Sequence, residues 1–291
     1  MVGRLPEETI VKQVKLKVKN LEAMTDFYTK MIGLVLLNKT ENTTFLGAQA
    51  SSETIMILEE LIDPIVKNNT TGLYHTAFLL PSRKDLGNSL VWLLQNNNEI
   101  GAADHGYSEA IYLTDPEGNG IEIYRDKPKT EWDIRANGEI IGVTEELDGD
   151  AVVAVSDGQW LGLAPGSRIG HVHLQVADLA MTEKFYEQLG FSLKSNFGGR
   201  AKFFAAGDYH HHIGTNTWNS RNDALISENQ LGLAWYTFQL PSKEALDALL
   251  DRLNEQAIAY VYENEQLTIQ DPNGMQIKFE YQYKIKGQLH C

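Results

Sequence analysis

Histidines and one carboxylate recur in short strand-like segments of this chain. His75 lies in GLYHTAFLL, His171 and His173 share GHVHLQV, and Glu122 lies in GIEIYRD. Imidazole nitrogens and carboxylate oxygens bind transition metals, and two histidines with one carboxylate form a set typical of non-haem Fe(II) oxygenases. An imidazole also exchanges protons near neutral pH. A histidine on a strand is commonly a core residue as well, so the positions of these side chains in the fold must support the chemistry.

The chain contains an internal repeat. Residues 12–37 are similar to residues 170–193, and residues 72–94 are similar to residues 232–253. Each segment of the second pair is followed by a DPxG turn, DPEG in one case and DPNG in the other. A repeat of this kind indicates duplicated structural units. We therefore divide the chain into an N-terminal half, a connector and a C-terminal half: residues 1–127, 128–166 and 167–291.

Each half divides again into two units that begin with a strand, continue into a helix and end in further strands. Val14, Leu16 and Val18 alternate with lysines, which is the period of a half-buried strand. Asn20 and Ser82 stand where a helix would begin, and both residue types are preferred N-caps. The sequence therefore predicts an α+β fold made of four βαβββ modules.

Composition and charge exclude several classes of protein. Lys plus Arg number 25 and Asp plus Glu 39, which gives a net charge of −14 and argues against nucleic acid or an anionic membrane as a partner. No apolar run approaches the roughly 18 residues that a membrane span requires. The only cysteine is Cys291, so an intrachain disulfide and a cysteine zinc site are both excluded. We expect a cytoplasmic protein.

Four βαβββ modules in two halves resemble the vicinal oxygen chelate superfamily, which includes glyoxalase I, bleomycin-resistance proteins and type I extradiol dioxygenases. The resemblance extends over nearly the whole chain. It implies that modules pair into U-shaped mixed sheets around a metal cleft, with ligands on the first and last strand of each module.

The resemblance makes two positions in each module the candidate metal ligands. In chain order they are Gln13 with Met56 or Glu59, His75 with Glu122, His171 with His211, and Trp235 with Lys278. A protonated Lys278 would repel a dication, and the strand of Gln13 projects further lysines from the same face. We therefore predict that modules two and three pair and that His75, Glu122 and His171 bind the metal, while a pairing of modules one and two stays open.

Residues 105–122, HGYSEAIYLTDPEGNGIE, resemble the extradiol dioxygenase pattern of a His, an apolar residue with Tyr, an acidic residue with Pro, a Gly and the metal-binding Glu. The matching residues are His105, Ile111, Tyr112, Asp115, Pro116, Gly118 and Glu122. The sequence departs from the pattern at Ala103, and extradiol enzymes as a rule draw their ligands from the second half. The resemblance implies that Tyr112 and His105 have active-site roles.

The predicted activity is that of an Fe(II)-dependent extradiol dioxygenase acting on a catechol-type aromatic with O2. Mn(II) or another divalent metal stays open, because the same ligands suit several metals. His211 is the expected acid–base residue, with His105 and His173 as further candidates. The sequence leaves open which member of the triple His210-His211-His212 faces the cleft. A homo-oligomer is also an open expectation.

Two other functions remain open at this point. The first is a glyoxalase-type metal-dependent lyase or isomerase, whose ligands would be Gln13, His75, Glu122 and Glu59 if modules one and two pair. The second is a protein that binds a small aromatic molecule without chemistry. Its cleft would be lined by Trp92, Trp218, Trp235 and Tyr236, although aromatic residues on strands and helices are usually core residues.

Overall fold

A computed structural model describes residues 3–66 and 69–282 of the chain. The strands within these ranges form two curled eight-stranded sheets and a two-stranded ribbon. Helices pack on the sheets, so the predicted α+β class is confirmed. Within the described ranges no helix is long and apolar enough to cross a membrane. The cysteine at position 291 lies outside them.

The N-terminal half contains two βαβββ modules. Module one consists of β1 (Ile10–Val18), α1 (Leu21–Phe27), β2 (Val35–Lys39), β3 (Thr43–Gly47) and β4 (Met56–Glu60). Module two consists of β5 (Gly72–Leu79), α2 (Arg83–Gln95), β6 (Gly101–Asp104), β7 (Ser108–Thr114) and β8 (Gly120–Asp126). A single turn of π-helix, Tyr28–Ile32, extends α1.

The C-terminal half repeats the same order after a connector. The connector contains a 3₁₀ turn (Lys129–Glu131), β9 (Asp133–Ile134), β10 (Ile140–Ile141) and α3 (Gly149–Ala154). Module three consists of β11 (Arg168–Gln175), α4 (Leu179–Leu189), β12 (Ser192–Phe197), β13 (Ala201–Ala205) and β14 (Ile213–Asn216). Module four consists of β15 (Gly232–Leu240), α5 (Lys243–Glu255), β16 (Val261–Glu263), β17 (Gln266–Gln270) and β18 (Gln276–Tyr281).

The predicted helix starts are confirmed by their capping hydrogen bonds. The side chain of Asn20 accepts a hydrogen bond from the backbone N–H of Ala23, and the side chain of Ser82 accepts one from Asp85. Such a cap stabilises a helix by about 1 kcal/mol, because it satisfies an N–H group that has no partner inside the helix. At the other end of the first helical segment, Gly33 adopts a left-handed φ of 85°.

Each eight-stranded sheet combines one module from each half. One sheet has the order β12-β13-β14-β11-β5-β8-β7-β6, and the other has the order β16-β17-β18-β15-β1-β4-β3-β2. Modules two and three therefore share one sheet, as predicted, and modules one and four share the other. The domain boundaries at residues 127 and 167 come from the sequence repeat alone and remain a prediction.

The two DPxG turns connect the sheets through buried tyrosines. The hydroxyl of Tyr28, from module one, donates to Asp115 of module two at 2.9 Å. The hydroxyl of Tyr186, from module three, lies 3.4 Å from the carboxylate of Asp271 in module four. Burial raises the pKa of Asp271 to about 6, although several hydrogen bonds oppose this shift. The turns that the repeat revealed thus link one sheet to the other.

Candidate metal centre and active-site cavity

The three central strands of the sheet formed by modules two and three position the predicted ligands. In the antiparallel pair of β11 and β5, His171 lies opposite Ala77 and His173 lies opposite His75. In the parallel pair of β5 and β8, Glu122 also lies opposite Ala77. Since side chains two residues apart share a face of a strand, His75 projects on the same side as Ala77. The register therefore directs all three predicted ligands to one place.

The side chains of these ligands converge. Nε2 of His75 lies 2.9 Å from Oε2 of Glu122, and Nε2 of His171 lies 3.0 Å from the same oxygen. The two Nε2 atoms are 3.3 Å apart. Each residue is at most 5% exposed, and the ligand atoms all lie within 4.8 Å of one another. Two imidazoles and one carboxylate around a common point fit a divalent transition metal.

The protonation states of the cluster suit a cation. Burial would raise the pKa of Glu122, but the neighbouring His171 and His75 lower it well below its usual range. Burial lowers the pKa of His171 to about 4, against the opposing effect of Glu122. Near neutral pH the site therefore presents a carboxylate and a neutral imidazole, which are the forms that bind metal.

The second sheet shows what replaces this cluster in the other pair of modules. Lys278 lies opposite Thr237 in β18 and β15, as Glu122 lies opposite Ala77 in β8 and β5. The alignment of Glu122 with Lys278 from the sequence is therefore confirmed. Nζ of Lys278 lies 4.3 Å from the ring centroid of Trp235, so a cation–π contact occupies the equivalent position.

Module one contributes hydrogen-bonded and ion-paired side chains to the second sheet. The amide of Gln13 donates to the backbone carbonyl of Thr54 at 2.9 Å. Glu59 forms an ion pair with Lys15 at 2.9 Å. Both residues lie in the sheet that lacks His75 and Glu122.

The third module differs from the expectation for its last strand. The register of β11 and β14 places Gly214 opposite His173, which is the position that Glu122 has in module two. The prediction that His211 occupies this position on a strand is wrong, because β14 begins at Ile213 and the histidine triple lies in the irregular segment before it. A Cβ atom on Gly214 would lie 2.9 Å from the ring of His173, so the glycine makes room for that ring.

A cavity of about 890 Å³ opens over the cluster. Its volume is in the upper part of the range for small-molecule sites. The seven predicted site residues all line it: His75, His105, Tyr112, Glu122, His171, His173 and His211. Aromatic side chains form part of the wall, among them Tyr74, Phe197, Phe203 and Trp218. The cavity could therefore enclose an aromatic ring beside the cluster.

Tyr112 and His105 form a hydrogen-bonded pair on the cavity wall. Nδ1 of His105 lies 2.8 Å from the carbonyl oxygen of Val143, which can only accept, so Nδ1 carries a proton. Nε2 of a neutral His105 then accepts from the hydroxyl of Tyr112, 2.6 Å away. Burial and the charge of Glu122 raise the pKa of Tyr112 well above its ordinary value, so this hydroxyl keeps its proton.

His211 is the member of the histidine triple that faces the cavity. Its ring centroid lies 4.1 Å from that of His171 and 4.9 Å from that of Phe203. Burial, with the neighbouring histidines, lowers the pKa of His211 well below its usual value. His210 and His212 are also buried, although neither lines the cavity.

Several cavity residues were not found from the sequence. Tyr74 lies next to His75, and its side chain contacts Trp218 edge to face at 5.1 Å. Val143 comes from the connector, where no periodic pattern marked a functional position. Tyr107 lies within the extradiol-like segment but outside its pattern. Only the aromatic character of these segments could have drawn attention to Tyr74 and Tyr107.

The buried His212 gives the protein a predictable response to acid. Burial lowers its pKa to about 3, and its Nδ1 accepts from the backbone N–H of Ala206 at 3.3 Å. In the unfolded chain this residue binds a proton near pH 6.5, whereas in the folded chain it stays neutral down to about pH 3. The free energy of unfolding therefore falls as the pH drops from about 6.5 towards 3. His212→Asn keeps an acceptor but does not titrate. When the free energy of unfolding, measured with urea, is plotted against pH between pH 6 and 4, its slope should be shallower in this variant by about 1.4 kcal/mol per pH unit. Equal slopes would contradict this account.

Paired βαβββ modules with a buried histidine–carboxylate cluster in the cleft of one sheet define a glyoxalase-like protein with a candidate metal centre. The model of the Glyoxalase/Bleomycin resistance protein/Dioxygenase superfamily matches residues 10–123 and 168–279. The chain belongs to this superfamily, and the predicted resemblance is confirmed.

Two curated relatives are dioxygenases. The chain is 38% identical over 279 residues to a catechol-2,3-dioxygenase of Bacillus subtilis (strain 168), covering 94% of this chain and 98% of that protein. It is 26% identical over 114 residues to biphenyl-2,3-diol 1,2-dioxygenase 3 of Rhodococcus globerulus, covering 38% of this chain and 60% of that protein.

Solved structures share the fold at low sequence identity. A putative dioxygenase from Bacillus subtilis superposes with a TM-score of 0.65 at 12% identity, over 96% of this chain and 86% of that chain. Glyoxalase I from Zea mays superposes with a TM-score of 0.57 at 15% identity, over 94% of this chain and 92% of that chain. At these identities the likenesses establish the fold alone.

Proposed function

We propose that the chain is a metal-dependent extradiol dioxygenase that cleaves a catechol-type ring with O2. The observation that carries the proposal is the convergence of His75, Glu122 and His171 on one point inside an aromatic-lined cavity. The similarity to a catechol-2,3-dioxygenase along nearly the full length of both chains supports the same activity.

Fe(II) is the metal that we propose for this cluster. Its ligands would be His75, Glu122 and His171, the 2-His-1-carboxylate set of non-haem Fe(II) oxygenases. Bound there, Fe(II) would supply the redox chemistry between catechol and O2. The buried carboxylate and the neutral imidazole of His171 give the site a net negative charge that favours a dication.

The surrounding side chains would bind the substrate and move its protons. The hydroxyl of Tyr112, held by His105, is placed to hydrogen-bond a catechol oxygen. His211, which also lines the cavity, would take a hydroxyl proton from the catechol and return it after ring opening. The ring of His173 lies beside the cluster, in contact with His75. Its buried Nε2 atom has no hydrogen-bond partner among the described residues and can contact the substrate.

Structural contacts weaken both other functions. The glyoxalase-type ligand set requires Gln13 and Glu59 beside His75, but both lie in the other sheet. The proposed aromatic cleft of a binding protein is not formed as a unit. Trp92 stacks on Trp160 at 4.1 Å, and Trp218 alone of the four predicted aromatic residues lines the cavity.

Oxygen consumption tests the proposal directly. Protein purified without air and loaded with Fe(II) should consume one O2 per catechol, and both atoms of ¹⁸O2 should enter the ring-opened product. Tyr112→Phe should retain the metal but lower kcat by about 10–100-fold, because it removes a hydroxyl that would hydrogen-bond a catechol oxygen, and a hydrogen bond to a charged group contributes about 1.5–3 kcal/mol. Tyr262→Phe, an exposed tyrosine of β16, is the matched control. Metal-loaded protein that consumes no O2 with any catechol would refute the proposed function.

A further inference from the structure

The side chain of His211 is hydrogen-bonded to that of its neighbour in sequence, His210. Nδ1 of His210 lies 2.7 Å from Nδ1 of His211, and Nε2 of His210 lies 2.9 Å from Oδ1 of Asp126. Asp126 ends β8, the strand that carries Glu122. A line of hydrogen bonds therefore runs from the cavity wall through a buried imidazole to a carboxylate.

The surroundings hold the ring of His210 in place. Its side chain is completely buried. The ring stacks on Tyr107 at 4.4 Å with an interplanar angle of 14°, and Trp132 contacts it edge to face at 5.3 Å. Asp126 is held in turn by the hydroxyl of Tyr209, which lies 3.0 Å from Oδ2. The ring of His210 therefore has little freedom to turn.

The chemistry of the groups determines which atom donates and which accepts in each of these hydrogen bonds. The carboxylate of Asp126 accepts, so Nε2 of His210 donates. A neutral imidazole protonated at Nε2 has a lone pair at Nδ1, and this lone pair must accept the proton of Nδ1 in His211. His211 is then left with an unprotonated Nε2, the one ring nitrogen not used by His210.

We propose that His210 and Asp126 are positioning residues that fix the tautomer of His211, so that its Nε2 faces the substrate as a proton acceptor. The inference rests on the proposed function, because it explains how His211 is oriented to receive the proton of the substrate. A partner that orients a functional imidazole through its other nitrogen is a general device in metal sites and in catalysis.

Two substitutions of His210 separate a role in orientation from a role in folding. His210→Phe keeps an aromatic ring against Tyr107 but removes the acceptor for His211. We expect kcat to fall about 10–100-fold, the usual effect of losing an outer partner, with KM and iron content unchanged. His210→Asn restores an acceptor near the position of Nδ1 and should recover most of kcat. His212→Asn, at a neighbouring buried histidine outside the cavity, is the matched control.

The tautomer itself can be measured without turnover. ¹⁵N spectra of histidine-labelled protein carrying diamagnetic Zn(II) should show His211 with a protonated Nδ1 and an unprotonated Nε2. The spectra of His210→Phe and Asp126→Ala should show the Nε2-protonated form of His211 instead, alone or in a mixture. Wild-type tautomer and wild-type kcat in both variants would overturn the inference. If the wild-type enzyme consumed no O2 with any catechol, the proposed function would fail, while the spectra would still decide the tautomer.

Discussion

Glu122→Gln is expected to release the metal and abolish oxygen consumption. The carboxylate oxygen Oε2 lies 2.9 Å from Nε2 of His75 and 3.0 Å from Nε2 of His171, so one atom holds both imidazoles in place. An amide removes the negative charge and can turn its N–H₂ group towards the metal. Loss of a proposed direct ligand should exceed the 10–100-fold effect of an outer partner. Iron per chain after desalting and the rate of O2 uptake are the measurements.

Glu59→Gln is the matched control for this substitution. Glu59 was a candidate ligand of module one, and it lies in the other sheet in an ion pair with Lys15. We expect Glu59→Gln to retain iron and activity. Thermal unfolding of both variants without metal would separate loss of the ligand from loss of folding. Iron retained by Glu122→Gln but lost by Glu59→Gln would show that module one, and not module two, provides the carboxylate that binds the metal.

Much of the candidate centre could be predicted because the chain repeats itself. The strand positions of His75 and Glu122 could be compared with those of Trp235 and Lys278 in the same sequence, and the strand register confirms this comparison. The repeat also indicated that the middle modules pair, since only they offered ligands without a nearby lysine. Period-two alternation was sufficient for this part, because the predicted ligands lie on regular central strands.

The remainder depends on irregular segments, for which no periodicity exists. Comparison of the modules assigned His211 to the last strand of module three, whereas it lies in the irregular segment before β14, and Gly214 occupies the strand position. The contact between His105 and the carbonyl of Val143 joins module two to the connector, and tertiary structure alone brings them together. The stack of His210 on Tyr107 likewise links distant parts of the chain.

Gly120→Ala is expected to destabilise the protein and to weaken metal binding together. Gly120 begins β8 opposite His75, and a Cβ atom there would lie 2.2 Å from the backbone carbonyl oxygen of Tyr74. A backbone atom in the centre of a sheet cannot move aside as a flexible side chain could. The strand must shift, at a cost of about 3 kcal/mol or more. Because Glu122 lies two residues further along β8, the shift also moves the carboxylate away from His75.

Gly149→Ala provides the comparison, because the same atoms are added where there is space. Gly149 begins α3, and a Cβ atom there meets nothing within 4 Å. Alanine favours a helix over glycine, so stability should be unchanged or raised by up to about 1 kcal/mol. Urea unfolding of metal-free protein and titration with Fe(II) under argon would measure both effects. If Gly120→Ala had the stability and iron affinity of Gly149→Ala, the close approach of β5 and β8 could not be what holds His75 and Glu122 together.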